Sequence, residues 1–307
     1  MLNEIQAEIL RQVADMAALP ETGAVNLRSD GERAFHRDSE HVHIVSKTDK
    51  PGIDIHVDPG TKGETVHIPV VITKTGIKDL VYNDFFIGEG AEVKIVAGCG
   101  IHNCGGCDSE HDGIHTFHVG KGAKVTYFEK HYGEGDGVGK RILNPQTILY
   151  LEEGASVTMD TSQIRGVDDT KRYTRAVVGE NAEIVIQEKL LTHSSQKAES
   201  EMDVFLNGAG SKTRVVSRSV AQDNSVQIFY PRVEGNAPCF GHVSCDAIIM
   251  GSARVRAIPE ITCNHVDAGL IHEAAIGKIA GEQILKLMTL GLTAEEAEEK
   301  ILEGFLR

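Results

Sequence analysis

The sequence predicts a mainly β protein: a solenoid of stacked coils flanked by N- and C-terminal helices. Three observations carry that expectation. The first is an internal repeat, in which four segments share apolar-x-apolar, a three-residue turn, then Ala-x-apolar-x-apolar. They run from Phe85 to Ile95, Phe117 to Tyr127, Leu149 to Met159 and Ala176 to Ile186. Their turn anchors Gly90, Gly122, Gly154 and Asn181 are spaced by 32, 32 and 27 residues, and a period of a few tens of residues signals stacked architecture. The second is period-two alternation on both sides of each anchor, which is the strand period. Gly and Asn are the residues that tolerate φ > 0 at such corners. The third is composition, because the absence of Trp and only 5% aromatic residues suit a core of small aliphatic layers. One copy cannot bury its apolar face, whereas stacked copies bury one another.

The elements follow in three stretches. Residues 1–41 supply a helix over Leu2–Ala18, with Ile5, Ile9, Val13 and Met16 along one face and Pro20 beyond its end, and then a short lead-in. Residues 42–258 form the solenoid, with imperfect coils at Asp54–Ile72, Met202–Val216 and Gln227–Val233. A cupin-type sandwich competes, in which His41, His43, His115 and His118 would be metal ligands, but copies spaced near 30 residues favour stacking. Residues 259–307 supply a helix from His272 to Leu290 that stops at Gly291. Thr293-Ala-Glu-Glu296 then reads as a capping box opening a last helix with Ala297, Ile301 and Leu302. The helices serve either as caps on the solenoid ends or as a docking surface for another protein.

Charge and cysteine usage narrow the partners. A net charge of −14 with no basic stripe disfavours nucleic acid. There is neither a cationic, apolar leader nor a bilayer-length apolar run, so a soluble cytoplasmic protein with reduced thiols is expected. Those thiols are unevenly spread. Cys99, Cys104 and Cys107 fall within nine residues, and His102, His111, His115, His118 and His131 lie among or after them. The C-x4-C-x2-C spacing is one by which plant-type ferredoxins present three thiolates to a [2Fe–2S] cluster. The plain alternative is a set of small buried hydrophobes. Cys239, Cys245 and Cys263 crowd into the last quarter of the chain.

Gly241-His-Val-Ser-Cys245-Asp246, followed by Asn264 and Leu270-Ile-His272-Glu273-Ala274, resembles the C-terminal core of SufB and SufD, the scaffold proteins of the Suf iron–sulfur cluster assembly machinery. The segment from Leu292 to Ala297 and on through Ile301 to Phe305 is similar to the helical tail with which that family binds its ATPase, SufC. Ala97-Gly98-Cys99, followed by Asp108 and His115, resembles the family's Gly-Cys segment. The resemblance implies a right-handed parallel β-helix flanked by helices. It implies Cys245 and Glu273 as cluster-building residues, His272 as a further ligand and Cys99 as the point where sulfur enters. His-Glu-Ala at 272–274 makes the chain SufB-like. The chain departs from the pattern in its short N-terminal region and in Cys104 and Cys107, which are further candidate metal ligands. The first departure suggests a homodimer in place of a SufB–SufD heterodimer.

The chemistry of the ligands is consistent with transient assembly. Soft thiolates hold iron and sulfide, while a carboxylate or imidazole can take an iron and leave again. Mixed ligation makes a [2Fe–2S] or [4Fe–4S] cluster labile, as delivery to apo-proteins requires. The chain has no ATPase loop of its own: Gly135-x-x-x-Gly139-Lys140-Arg141 has the wrong interval and lacks the magnesium-binding hydroxyl, and reads as a flexible loop. A SufC-type ATPase on the C-terminal helices would supply the energy, leaving the chain a scaffold and not an enzyme. Two rivals remain: a polysaccharide lyase or hydrolase on a β-helix, with Asp168-Asp169 as its acid pair, and a cupin-like metal-dependent isomerase.

Overall fold

A ladder of left-handed corners organises the chain. Gly90, Gly122 and Gly154 take φ of 65°, 63° and 68°, and Asn181 takes 53°, so all four anchors of the repeat are left-handed corners, open to Gly and tolerated by Asn. Each corner N–H donates to the next coil: Gly90 to the Lys121 carbonyl at 2.8 Å, Gly122 to Glu153 at 2.9 Å and Gly154 to Glu180 at 2.8 Å. The computed structural model describes residues 3–16 and 19–306. It is a β-solenoid of about 8 turns, 57% strand, with three helices at the termini.

Helix α1 (Glu4–Ala14) leads into β1 (Ala24–Ser29), β2 (Glu32–Arg37), β3 (Val42–Ser46), β4 (Gly52–Val57), β5 (Glu64–Ile72), β6 (Lys78–Ile87) and β7 (Glu92–His102). The middle of the chain forms β8 (Ser109–Val119), β9 (Lys124–Glu134), β10 (Arg141–Leu143), β11 (Gln146–Leu151), β12 (Ser156–Arg165), β13 (Asp169–Val178) and β14 (Glu183–Thr192). Then come β15 (Lys197–Leu206), β16 (Lys212–Ala221), β17 (Val226–Gly235), β18 (Cys239–Ile249), β19 (Arg254–Ala257), β20 (Glu260–Cys263), β21 (Ala268–Gly277), α2 (Gly281–Met288) and α3 (Ala294–Leu306). One sheet orders its strands β2-β1-β5-β7-β9-β12-β14-β16-β18-β21, and the other runs from β19 to β3 along the odd and even strands between them. Pairing is parallel along the stack, while β1–β2 and β3–β4 are antiparallel at its N-terminal end. Between the sheets lies one aliphatic column, from Val42 and Ile55 through Phe85, Phe117, Leu149 and Val178 to Val243 and Cys245.

The helices depart from expectation in instructive ways. Asp15 takes φ 54° and ends α1 at Ala14, while Leu2, Ala17 and Ala18 lie outside the described residues. Nor does α1 cap the solenoid's end. Its buried Ile9, Leu10 and Val13 lie on the outer face of β7, where Gly98 and Gly100 make room. A β-carbon on Gly98 would stand 2.3 Å from the Val13 carbonyl oxygen, and one on Gly100 would stand 2.1 Å from Ile9 Cγ2.

The expected helix from His272 to Leu290 is overturned over its first half. Residues 268–277 are β21, held in parallel register with β18 from Cys239↔Ala268 to Ile248↔Gly277, so tertiary pairing overrides local helix preference. Helix α2 occupies only Gly281–Met288. The capping box before α3 forms as read, with Thr293 N donating to Glu296 Oε2 at 2.8 Å and Glu296 N to Thr293 Oγ1 at 3.1 Å. Strands also lie on both sides of the 42–258 interval, β1 and β2 before it and β20 and β21 after it.

Candidate functional site

Strand pairing brings Cys245 and His272 together. Cys245 faces inward on β18 and is 4% exposed. His272 is in register with Val243, so its side chain shares the interior face. Cys245 Sγ and His272 Nε2 are 3.2 Å apart. Burial pushes the Cys245 thiol up to about 12, with the Glu188 and Asp246 carboxylates adding to it. Burial, with a contribution from His242, lowers His272. At neutral pH the pair is therefore a neutral thiol and a neutral imidazole. Glu273 does not join them. One residue along the strand, it points to the outer face, 69% exposed, with its carboxylate 3.5 Å from His242 Nε2.

Cys99 sits in a different environment. It faces inward on β7, 7% exposed, in register with His131 on β9. Burial would raise its thiol, but the neighbouring His111 and His131 imidazoles outweigh it and bring it down to about 7. His111 is likewise pulled against its own burial, up to about 10, by Cys99 and Asp79. Asp79 holds His111 Nδ1 at 3.1 Å and Arg28 Nη2 at 2.7 Å. Cys99 is thus lowered and His111 raised, and a thiol lowered by imidazoles is the more reactive one.

A buried polar column joins these two places. Glu129, Thr161, Glu188, Ser217 and Cys245 occupy successive registered positions on β9, β12, β14, β16 and β18, all facing inward. His131 Nε2 is 3.5 Å from Glu129 Oε1, and Arg172 from the opposite sheet reaches Glu129 at 2.5 Å and Glu188 at 3.7 Å. Glu188 also accepts from Ser200 at 2.8 Å and from Ser217 at 3.1 Å. Arg172 and His131 hold Glu129 well below the ordinary carboxylate range although burial opposes them. The column is not an open pore, since the cavity beside Arg172 and Glu188 is about 10 Å³, room for one water at most.

The thiol-rich segment is divided. Cys99 is interior, whereas Cys104 and Cys107 are exposed on the loop between β7 and β8. Among the described residues, no group of three or more His, Cys, Asp or Glu side chains is gathered to hold a metal ion. The glycine-rich stretch after β9 is no free spacer. Gly137 N donates to the Asn103 carbonyl at 3.1 Å and Gly139 N to Gly105 at 3.0 Å. His111 and His115 lie inside, while His118 stacks on the outside between Phe86 and Tyr150 at 5.1 and 5.5 Å. The histidines therefore do not converge as a cupin site requires. Asp168 is committed to Arg141, which binds both of its oxygens, and Asp169 faces Lys140 at 3.8 Å. That leaves the acid pair without a hydrolase's free carboxylates. The buried Glu129–Arg172–Glu188 set was not singled out from the sequence, where Glu129 and Glu188 stand two coils apart on one sheet and Arg172 reaches them from the other.

Comparison with known proteins gives the family of the chain. Residues 82–305 match the family described as SUF system FeS cluster assembly, SufBD core domain. An iron–sulfur cluster assembly SufBD family protein of Archaeoglobus fulgidus is 30% identical over 272 residues, 87% of this chain and 71% of that protein. A counterpart from Methanocaldococcus jannaschii is 28% identical across 78% of this chain and 76% of its own, and one from Pyrococcus horikoshii 28% across 86% and 84%. With a family match over most of its length and the solenoid that carries it, the chain belongs to the SufBD family of iron–sulfur cluster assembly proteins.

Proposed function

We propose that this chain is a SufB-like scaffold on which an iron–sulfur cluster is built as cargo, with Cys245 as its essential thiolate and His272 and Glu273 as exchangeable ligands. The observation that carries the reading is the Cys245–His272 pair at 3.2 Å beneath the last strand of its sheet. Iron binding there must displace the thiol proton, because Cys245 is held up at about 12, and metal binding releases protons from such ligands. Glu273 reaches the interior only if β21 moves. A one-residue slip against β18 would exchange His272 for Glu273 on the inner face, and β21 is the edge strand that leads directly into α2. A SufC-type ATPase gripping α2 and α3 would drive that exchange and release the cluster to apo-proteins.

The exposed edge of β21 also suits pairing with a second copy or with a SufD-like chain. No helix among the described residues is long and apolar enough to cross a membrane, and a scaffold with reduced thiols works in a reducing compartment such as the cytoplasm. Anaerobic reconstitution with ferrous iron and sulfide tests the assignment. Cys245→Ala is expected to lose the cluster's visible absorbance while its circular dichroism stays native. Undiminished absorbance in that variant would remove Cys245 from the site.

A further inference from the structure

A second thiol site stands on the surface, apart from the interior column. His102 ends β7 and Glu134 ends β9, and the two are register partners. His102 Nδ1 lies 3.0 Å from Glu134 Oε1, and the other carboxylate oxygen accepts from the Tyr132 hydroxyl at 2.9 Å. A carboxylate at Nδ1 keeps the imidazole proton there and leaves Nε2 as an acceptor. Nε2 is 2.9 Å from Cys104 Sγ. Nucleophile, base and orienting carboxylate thus lie in sequence, the arrangement that activates a thiol. Asp136 on the facing loop lies beside Cys104, which lowers that carboxyl from its ordinary value.

The loop that presents Cys104 is fixed. Asn103 is fully buried, its amide donating to the Cys107 and Lys140 carbonyls at 2.9 and 3.2 Å and its Oδ1 accepting from Gly105 N at 3.0 Å. The facing loop presses close, since a β-carbon on Gly137 would meet Gly105 N at 2.5 Å. Among the described residues, neither of the other exposed thiols, Cys107 and Cys263, has an imidazole at hydrogen-bond distance. Cys99, by contrast, is buried on the strand that α1 covers, so a bulky donor has no approach to it.

We propose that Cys104 is the surface thiol that accepts sulfane sulfur from a persulfide donor, with His102 as its base. The choice of donor rests on the assembly function proposed above. His102 Nε2 takes the Cys104 proton, and the thiolate attacks the terminal sulfur of R–S–SH. The donor S–S bond breaks as the Cys104 S–S bond forms, and the leaving R–S⁻ takes the proton back from His102. One sulfur atom moves, no electrons are gained or lost, and the products are Cys104 persulfide and R–SH.

The test is anaerobic incubation of the full chain with limiting glutathione persulfide, followed in time by peptide mass mapping. Cys104 is expected to gain one sulfur before Cys107 and Cys263. His102→Asn should slow it at least tenfold, to the rate of Cys107, a modest share of what general-base assistance supplies. Buried Cys239 serves as the fold control and should stay unmodified. If His102→Asn exposes Cys239, Glu134→Gln takes its place, and slowing confined to Cys104 is again expected. Equal labelling of Cys104 and Cys107 in the unmodified chain, or an unchanged Cys104 rate in a folded variant, overturns the proposal. The labelling needs no iron, so it fails or succeeds independently of the Cys245→Ala reconstitution.

Discussion

Cys99 and Cys245 are both buried on the same sheet, yet their neighbours send them in opposite directions. Imidazoles outweigh burial at Cys99 and bring it down to about 7, while carboxylates reinforce burial at Cys245 and push it up to about 12. The first suits a sulfur acceptor and the second a ligand that waits for metal. The Cys99 environment depends on Asp79, which anchors His111. Burial would raise the Asp79 carboxyl, but His111 and Arg28 outweigh it and lower it from 3.8 to about 2. A depressed carboxylate contributes stability above its unfolded value and loses it as pH falls through its folded value. Asp79→Asn should therefore destabilise the fold by about 1–2 kcal/mol near pH 6, after allowance for partial solvent screening. The difference should shrink between about pH 4 and pH 2, as read from denaturant midpoints. A deficit that persists unchanged at pH 2 would show that the charge is not the cause. These partnerships were half legible in sequence: Asp79 and His111, His102 and Glu134, and Cys99 and His131 each stand 32 residues apart, one coil of the repeat. Reading residues singly hides what reading them one period apart reveals.

Elements were legible where local chemistry decides them and opaque where packing does. Corners at Gly90, Gly122, Gly154 and Asn181 declare themselves because φ > 0 is a property of the residue. β21 does not, because Glu273, Ala274 and Ala275 suit a helix in isolation and only β18 makes them a strand. The same test separates caps from docking surfaces at the C-terminus. α2 buries none of its residues and leaves Leu285 and Met288 exposed beside Leu290, and α3 touches the solenoid where Arg218 donates to the Phe305 carbonyl at 3.4 Å. An apolar face left open this way is what a partner helix or groove would cover. Truncation after Gly291 should abolish binding of a SufC-type ATPase in pull-down while shifting the thermal midpoint by no more than a few degrees. Retained binding would reduce α3 to a structural cap.

For the whole molecule, the solenoid turns sequence distance into a straight line. From Cys99 on β7 to Cys245 on β18 is five strand steps along one sheet, about 24 Å at the usual spacing between strands. Direct thiol-to-thiol transfer cannot span that gap. Sulfur can leave a Cys99 persulfide toward Cys245 only as sulfide, with an added thiol reductant supplying two electrons and Cys99 regaining its thiol, and that anion must pass Arg172, whose charge is already matched by Glu129 and Glu188. Passage therefore requires a carboxylate contact to give way beside a cavity that has room for one water at most, so the route should be slow and closed at rest. Sulfur-labelling order tests it. In the unmodified chain with ferrous iron and a thiol reductant present, sulfur supplied at the surface should appear as persulfide at Cys104, then at Cys99, and last as iron-bound sulfide at Cys245. Cys99→Ser should leave Cys104 labelling intact and delay iron-bound sulfide at Cys245 at least tenfold. If Cys245 acquires sulfur as fast and as fully without Cys99, the interior column is a buried ion network that stiffens the solenoid, and Cys245 must be supplied from the open edge of β21.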